Sequence, residues 1–158
     1  MTETPPRTGW APMVPELLVE DFAASLPFWR DVLGFAVAYS RPDQFFAYLE
    51  RPEGAQVMLH QRANVWETGP LERPFGRGVM FQLYVADVAA VEARIAAAGV
   101  PLHHGPREVW RRTGDRESGQ REVFVLDPDG YLIMVAERIG ERPLSPVTAV
   151  ISPEPQRG

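Results

Sequence analysis

Outside its 21 carboxylates, few residues in this chain can bind a metal, move a proton or attack a carbonyl. Only three histidines occur, His60, His103 and His104, and cysteine is absent, which excludes disulfides, thiolate metal sites and cysteine nucleophiles. All sixteen basic residues are arginine, so Schiff-base catalysis and a phosphate-loop lysine are excluded too. No serine sits in a Gly-x-Ser-x-Gly setting, leaving nucleophile-elbow hydrolase chemistry without support. Histidine is left as the main acid–base group. Glu16, His60 and Gln82 are of types that could form a metal site with one open position. Met58, Met80 and Met134 offer thioethers, soft neutral donors that more often act as adaptable apolar filler.

The elements that must position these residues are legible from turn and strand patterns. Asp127-Pro128-Asp129-Gly130 joins two apolar runs, and Arg51-Pro52-Glu53-Gly54 joins two more. Proline presets the second turn position and glycine tolerates a positive φ, so each reads as a hairpin turn. Four residues past each glycine stands a methionine, Met58 or Met134. Val14–Asp21 also lines up with Met80–Asp87 at an offset of 66, while the hairpins align at 76. A strand, helix and three strands therefore occur twice, with about ten extra residues in the second copy, expected in a loop from His103 to Gln120. The fold class is α+β: two βαβββ modules, residues 13–61 and 79–138, joined by a linker at 62–78. Residues 1–12 read as an extended arm that Trp10 could anchor, and the proline-containing residues 139–158 as a surface tail.

Within the first module, strands are expected over Met13–Glu20, Phe35–Ser40, Gln44–Glu50 and Ala55–Gln61. Asp21 can cap a helix carrying Phe22, Leu26, Trp29 and Leu33, closed by Gly34. Pro27 removes a hydrogen bond inside it, which favours a start at Ser25 with Pro27 in the first turn. Val88, Val91, Ile95 and Ala98 form the equivalent stripe before Gly99.

Side chains alternate across a strand. One face gathers Leu17, Val19, Val57, Leu59, Phe81, Leu83, Val85, Ile133 and Val135, all apolar and expected to pack on the helices. The other gathers Val14, Glu16, Leu18, Gln56, Met58, His60, Met80, Gln82, Tyr84, Leu132, Met134 and Ala136. A dry face and a mixed face suit a curved mixed sheet around a cavity, with helices outside and a small-molecule site within.

Val19-Glu-Asp21, Phe28-Trp29-Arg30-Asp31-Val32-Leu33-Gly34-Phe35 and Asp127-Pro-Asp-Gly-Tyr131, in this order and spacing, resemble the vicinal oxygen chelate superfamily of glyoxalases, ring-cleaving dioxygenases and antibiotic-resistance proteins. Val14-Pro15-Glu16-Leu17, the Phe-Trp pair and Arg121-Glu122 are similar to bleomycin resistance proteins in particular. The resemblance implies that the positions holding metal in the superfamily's enzymes are Val14, Met80, Met58 and Met134 here. None is a usual ligand for a hard divalent ion, so no metal, cofactor or catalytic residue is expected. It further implies a homodimer that sequesters a bleomycin-like antibiotic in clefts between subunits. The candidate ligand-binding residues are Glu16, Phe45, Met58, His60, Trp66, Met80, Gln82, Tyr84, Trp110 and Met134, with Phe46 a further aromatic candidate. The alternatives are a glyoxalase-like lyase, isomerase or dioxygenase using the displaced set Glu16, His60 and Gln82, and a non-catalytic interaction module.

A net charge of −5 argues against nucleic-acid binding based on phosphate neutralisation. No apolar run approaches the roughly 20 residues of a membrane span, and no secretory segment opens the chain. A soluble cytoplasmic protein is expected.

Overall fold

The computed structural model describes residues 4–63 and 66–144. The first half holds β1 (Glu16–Val19), α1 (Phe22–Pro27), β2 (Ala36–Arg41), β3 (Phe46–Glu50) and β4 (Gln56–Gln61). The second holds β5 (Met80–Tyr84), α2 (Val88–Ala97), β6 (Leu102–Thr113), β7 (Arg116–Leu126) and β8 (Leu132–Pro143). Each half is a four-stranded mixed sheet, in the order β1-β4-β3-β2 and β5-β8-β7-β6. The first strand runs parallel to the last, and the other pairs are antiparallel. This identity of topology is the structural form of the sequence repeat. Among the described residues no helix is long and apolar enough to cross a membrane.

Alternation sorts the side chains as the pattern requires. Leu17, Val19, Val57, Leu59, Leu83, Val85, Ile133 and Val135 are buried in one core with Phe28, Trp29, Leu33, Val91 and Ile95 from the helical segments, and Phe81 packs partly buried against it. Both halves share this core, because neither sheet could bury its apolar face on one short helix alone.

The two sheets meet at their free edges. Val85 N–H donates to Ala136 O on β8, so the next amide, Ala86 N–H, points away from the sheet. It is taken by Glu53 Oε1 at 3.1 Å, from the hairpin turn of the other half. At the repeat-equivalent position, Glu20 N–H donates to Asp129 Oδ1 at 2.9 Å. Pro15 O and Val19 O accept from β4 and its continuation, so Leu18 O faces outward, where it accepts from Tyr131 Oη at 3.0 Å. Each hairpin thus satisfies backbone groups on the free edge of the other half's first strand. β1 and β5 lie edge to edge, and the mixed faces of both sheets lie on the same side, opposite the helices.

Four expectations change. The first helix starts at Phe22, not Ser25, because Asp21 Oδ1 accepts from Ala23 N at 2.9 Å and Ala24 N at 3.3 Å. Pro27 then stands as its last residue, and the chain continues as a π-helical turn over Phe28–Val32. Without an N–H at Pro27 the regular ladder is interrupted and the later bonds widen, as from Leu33 N to Phe28 O. The strand expected from Gln44 begins at Phe46, since Pro42–Gln44 form a 3₁₀ turn that ends in a left-handed Phe45 (φ 48°). His103–Gln120 is not a loop: nearly all of it lies in the long hairpin of β6 and β7, where charged and polar side chains occupy both faces. Finally, β8 runs on to Pro143, because the longer β7 offers it partners as far as Arg116. The rest of the proline-containing tail, from residue 145, lies outside the described residues, as do residues 1–3 of the arm.

Asp127 and Asp129 tie the second hairpin to the first helix. Asp129 is 1% exposed and accepts from Ser25 Oγ at 2.6 Å and Arg73 Nη2 at 3.1 Å, besides Glu20. Asp127 accepts from Tyr131 N, Asp129 N and Trp29 Nε1 at 2.8, 3.0 and 3.1 Å. Burial pushes its carboxyl up to about 6 in spite of these bonds, with the Asp129 charge adding to the rise. Native Asp127 therefore holds its proton more tightly than the unfolded chain, whose value is near 3.8. This group favours the folded state more as the pH falls from about 6 towards 4. Asn cannot titrate, so the stability advantage of the native protein over Asp127→Asn should widen by on the order of 2 kcal/mol between about pH 7 and pH 4. Thermal denaturation across that range measures the gap, and a constant gap would refute the raised value.

Candidate functional site

On the mixed side, the first half presents aromatic rings. β3 places Phe46 and Tyr48 beside Ala38 and Tyr39 of β2, with Met58 and Val14 packed against them. Tyr39 and Tyr48 stack at 5.0 Å between centroids, and Phe46 meets His60 edge-on at 5.8 Å. Trp10 adds a fifth ring, 5.4 Å from Tyr48 and 62% exposed.

Trp10 is held there by the N-terminal arm, which two buried side chains fasten down. Glu50, 4% exposed, accepts from Arg7 N at 3.1 Å and from Thr8 N and Oγ1, each at 3.2 Å. Burial works to raise its carboxyl, but these bonds outweigh it and hold the group below the usual carboxylate range. Gln56 accepts from Ala11 N at 3.0 Å and from Tyr48 Oη, and donates to Gly9 O and Thr8 Oγ1. The arm from Arg7 to Ala11 is therefore part of the mixed side, fastened by Glu50 and Gln56 while Trp10 stays exposed.

Hydrogen-bond donors and positive charge dominate the second half. Cross-strand register puts Arg107, Glu122, Ala136 and Tyr84 in one row and Val109, Gln120 and Arg138 in the next. Glu122, with a side chain 0% exposed, accepts from Arg107 Nε at 2.6 Å and from Arg111 Nη2 and Nη1 at 2.8 and 2.9 Å. Burial would raise its carboxyl, yet the bonds and charges of Arg111 and Arg107 prevail and hold it low. Tyr84 Oη accepts from Gln82 Nε2 at 2.7 Å and Gln120 Nε2 at 2.6 Å. The Arg138 guanidinium lies 4.4 Å from the centre of the Tyr84 ring.

The halves meet at a cleft of about 260 Å³, lined by Met13, Pro15 and Gln56 from the first half, by Phe81, Gln82 and Leu83 of β5 from the second, and by the core residues Trp29, Phe35 and Ile133. Of the positions expected to bind ligand, Met58 packs with the aromatic cluster, Met134 is 4% exposed on β8 opposite Gln82, and Met80 is 46% exposed at the start of β5. Glu16 and His60 form a partly exposed pair, Oε1 to Nδ1 at 2.9 Å. Gln82 does not join them, being engaged by Tyr84 and Gln120. Phe45 and Trp66 are exposed, both with positive φ. Trp110 stands on β6, on the other face from Arg111. It covers Gly119, where a Cβ would meet its ring at 2.8 Å, and bonds Glu108 at 3.2 Å.

The chemistry of this donor set does not fit a divalent metal. Val14, Met58, Met80 and Met134 offer no hard donor, and among the described residues no three of His, Asp or Glu converge. Sequence reading missed Trp10, Tyr39, Tyr48, Gln120, Glu122, Arg111 and Arg138 as site residues. The alternation that found Tyr84 extends to Gln120 and Arg138 only once β6 and β7 are known to be strands.

A family model described as Glyoxalase/Bleomycin resistance protein/Dioxygenase superfamily matches residues 11–135. No curated protein sequence matches the chain. Among solved structures, TioX from Micromonospora sp. ML1 is similar over 82% of this chain and 100% of its own, with 21% identity and a TM-score of 0.61. A protein of unknown function from Agrobacterium tumefaciens str. C58 covers 82% of this chain and 94% of its own at 28% identity and a TM-score of 0.59. A lactoylglutathione lyase from Agrobacterium tumefaciens covers 80% and 92% at 23% identity and 0.53. At these identities TioX and the lyase show a shared fold and nothing finer.

The buried carboxylate of Glu122 gives a second measurable pH effect, opposite in sign to that of Asp127. Its lowered value means that its stabilisation is full above about pH 4.5 and is lost as the pH falls further. Glu122→Gln should destabilise the protein by about 2 kcal/mol at neutral pH. Thermal melts should show the difference shrinking below about pH 4, and a difference that persists there would contradict the assignment.

Proposed function

The chain belongs to the Glyoxalase/Bleomycin resistance protein/Dioxygenase superfamily, and from that premise we propose that it is a metal-free small-molecule-binding protein of bleomycin-resistance type, acting as a homodimer. The observation that carries this reading is the replacement of hard ligands by apolar side chains at Val14, Met58, Met80 and Met134, on a side otherwise furnished for binding. Methionines repack around varied ligands, and the ring row of Trp10, Tyr48, Tyr39 and Phe46 offers stacking surfaces. Large exposed apolar side chains, Met13 at 86%, Trp66 at 71% and Phe45 at 52%, favour a second copy or a ligand as their cover.

One observation favours a second reading. The Glu16–His60 pair could serve a lyase or isomerase, with the carboxylate orienting the imidazole. Among the described residues no third His, Asp or Glu joins the pair as a metal ligand, and Gln82 is engaged in the other half.

Calorimetric titration with bleomycin should give saturable binding with a Kd of about a micromolar or tighter, and light scattering should give roughly twice the chain mass of 17.7 kDa. Stoichiometric Ni, Zn, Fe or Mn in protein purified without chelator, lost in Glu16→Ala or His60→Ala, would replace this reading with the enzyme. No heat with bleomycin or other antibiotics would leave the interaction module.

A further inference from the structure

Three guanidiniums, Arg107, Arg111 and Arg138, stand on the mixed face of the second sheet, and Glu122 is the one carboxylate bonded to any of them there. This concentration of positive charge occurs in a chain of net charge −5. Arg107 and Arg111 share the single carboxylate of Glu122. Arg138 is exposed and has no side-chain ion pair or hydrogen bond among the described residues, and its guanidinium lies over the face of the Tyr84 ring. Stacking holds the guanidinium in place while leaving its N–H edge unsatisfied.

Tyr84 completes the arrangement. A phenol oxygen has one hydrogen to give and two lone pairs to accept with. Both lone pairs are taken, by Gln82 Nε2 and Gln120 Nε2. The Gln82 amide also donates to Gln120 Oε1 at 3.3 Å, and Arg111 Nη1 approaches the same oxygen at 3.4 Å. With its acceptor sites filled, the Tyr84 hydroxyl hydrogen has no acceptor among the described residues and is directed out of the triad. An O–H donor therefore lies on the ring that a guanidinium without an ion pair among the described residues covers. Tyr84 and Arg138 are among the residues lining a cleft of about 280 Å³, with Val85, Ala86, Glu53 and Glu137. Of the two acids, Glu53 is paired with Arg51, and Glu137 keeps its charge but is turned by strand alternation to the opposite face of β8 from Arg138, where it accepts from Val88 N–H.

We propose that Arg138 and the Tyr84 hydroxyl form a subsite for an anionic group, a carboxylate, sulfonate or phosphate, carried by a small molecule whose apolar body lies against the ring row of the first half. The proposal rests on the small-molecule-binding reading and deepens it by naming the charge of the ligand. The neighbouring cleft is lined by Gln82 from the second half and by Met13 and Gln56 from the first, and Gln56 touches the ring row by accepting from Tyr48 Oη, so the cleft borders both walls. A charge-assisted bond from a guanidinium is roughly twice as strong as a neutral one, so charge rather than shape should dominate selectivity here.

The test uses two dyes of matched shape, anionic 8-anilinonaphthalene-1-sulfonate and neutral N-phenyl-1-naphthylamine, titrated by fluorescence into the native protein, Arg138→Gln and Tyr84→Phe. The native protein should bind the sulfonate at least about tenfold more tightly than the neutral dye. Arg138→Gln should remove most of that preference, and Tyr84→Phe, which deletes one hydroxyl and keeps the ring, should reduce it about threefold or more. Arg138 is exposed, so its replacement leaves the core intact. Equal affinity for both dyes, or a preference unchanged in both variants, would overturn the anion subsite and leave the binding reading standing. Binding of neither dye would count against both.

Discussion

The free edges of β1 and β5 impose the constraint from which the rest of the molecule follows. An edge strand presents amides and carbonyls that need partners. Here they are not paired backbone to backbone. Glu53 takes Ala86 N–H, Asp129 takes Glu20 N–H, and Tyr131 donates to Leu18 O. The repeat supplies these bonds in near-symmetric fashion, since each hairpin turn serves the other half. Because side chains rather than a backbone ladder satisfy the edges, the sheets stay separate and a gap opens between Met13 and Gln56 on one side and Gln82 on the other. The same bonds fix the helices on one side, so the apolar faces merge into one core and the mixed faces share the other side.

The two halves have one topology and two chemical characters, and strand length separates them. In the first half β2, β3 and β4 have 6, 5 and 6 residues, whereas β6, β7 and β8 have 12, 11 and 12. Short strands leave Glu50 and Gln56 near the end of the sheet, where the N-terminal arm covers them and brings Trp10 to the aromatic row. Long strands in the second half provide extra rows, and arginines and glutamines occupy them. Glu122 buries a charge that would be costly alone, and two guanidiniums compensate it. Val14, Met58, Met80 and Met134, the positions that the resemblance marks for metal, carry thioethers and a valine.

Several features were legible before any coordinates. The repeated Pro-Gly hairpins, the capping residues Asp21 and Asp87 and the two-residue alternation gave both modules, the core residues and the members of the mixed face. Other features were hidden for identifiable reasons. Pro27 argued for a late helix start, but Asp21 caps the chain earlier and a π-helical turn absorbs the missing donor. The β6–β7 ribbon read as a loop because charged and polar residues occupy both of its faces between His103 and Gln120, so they show no apolar alternation. Glu16, His60 and Gln82 make up the displaced set of the alternative enzyme reading, and Gln82, on the other sheet, bonds Tyr84 and Gln120.

By itself the sequence determined which residues share a strand face, because alternation is a property of the local backbone. It also determined that Val14, Met58, Met80 and Met134 offer no hard donor, because that is a matter of residue type. Only the tertiary structure decided which groups meet across strands: the arm on Glu50 and Gln56, Arg107 and Arg111 on Glu122, Arg138 on Tyr84, and each hairpin acid on the other half's edge. Such contacts join residues tens of positions apart. They depend on register, on the edge-to-edge placement of the sheets and on the route of the arm, and no local periodicity encodes these.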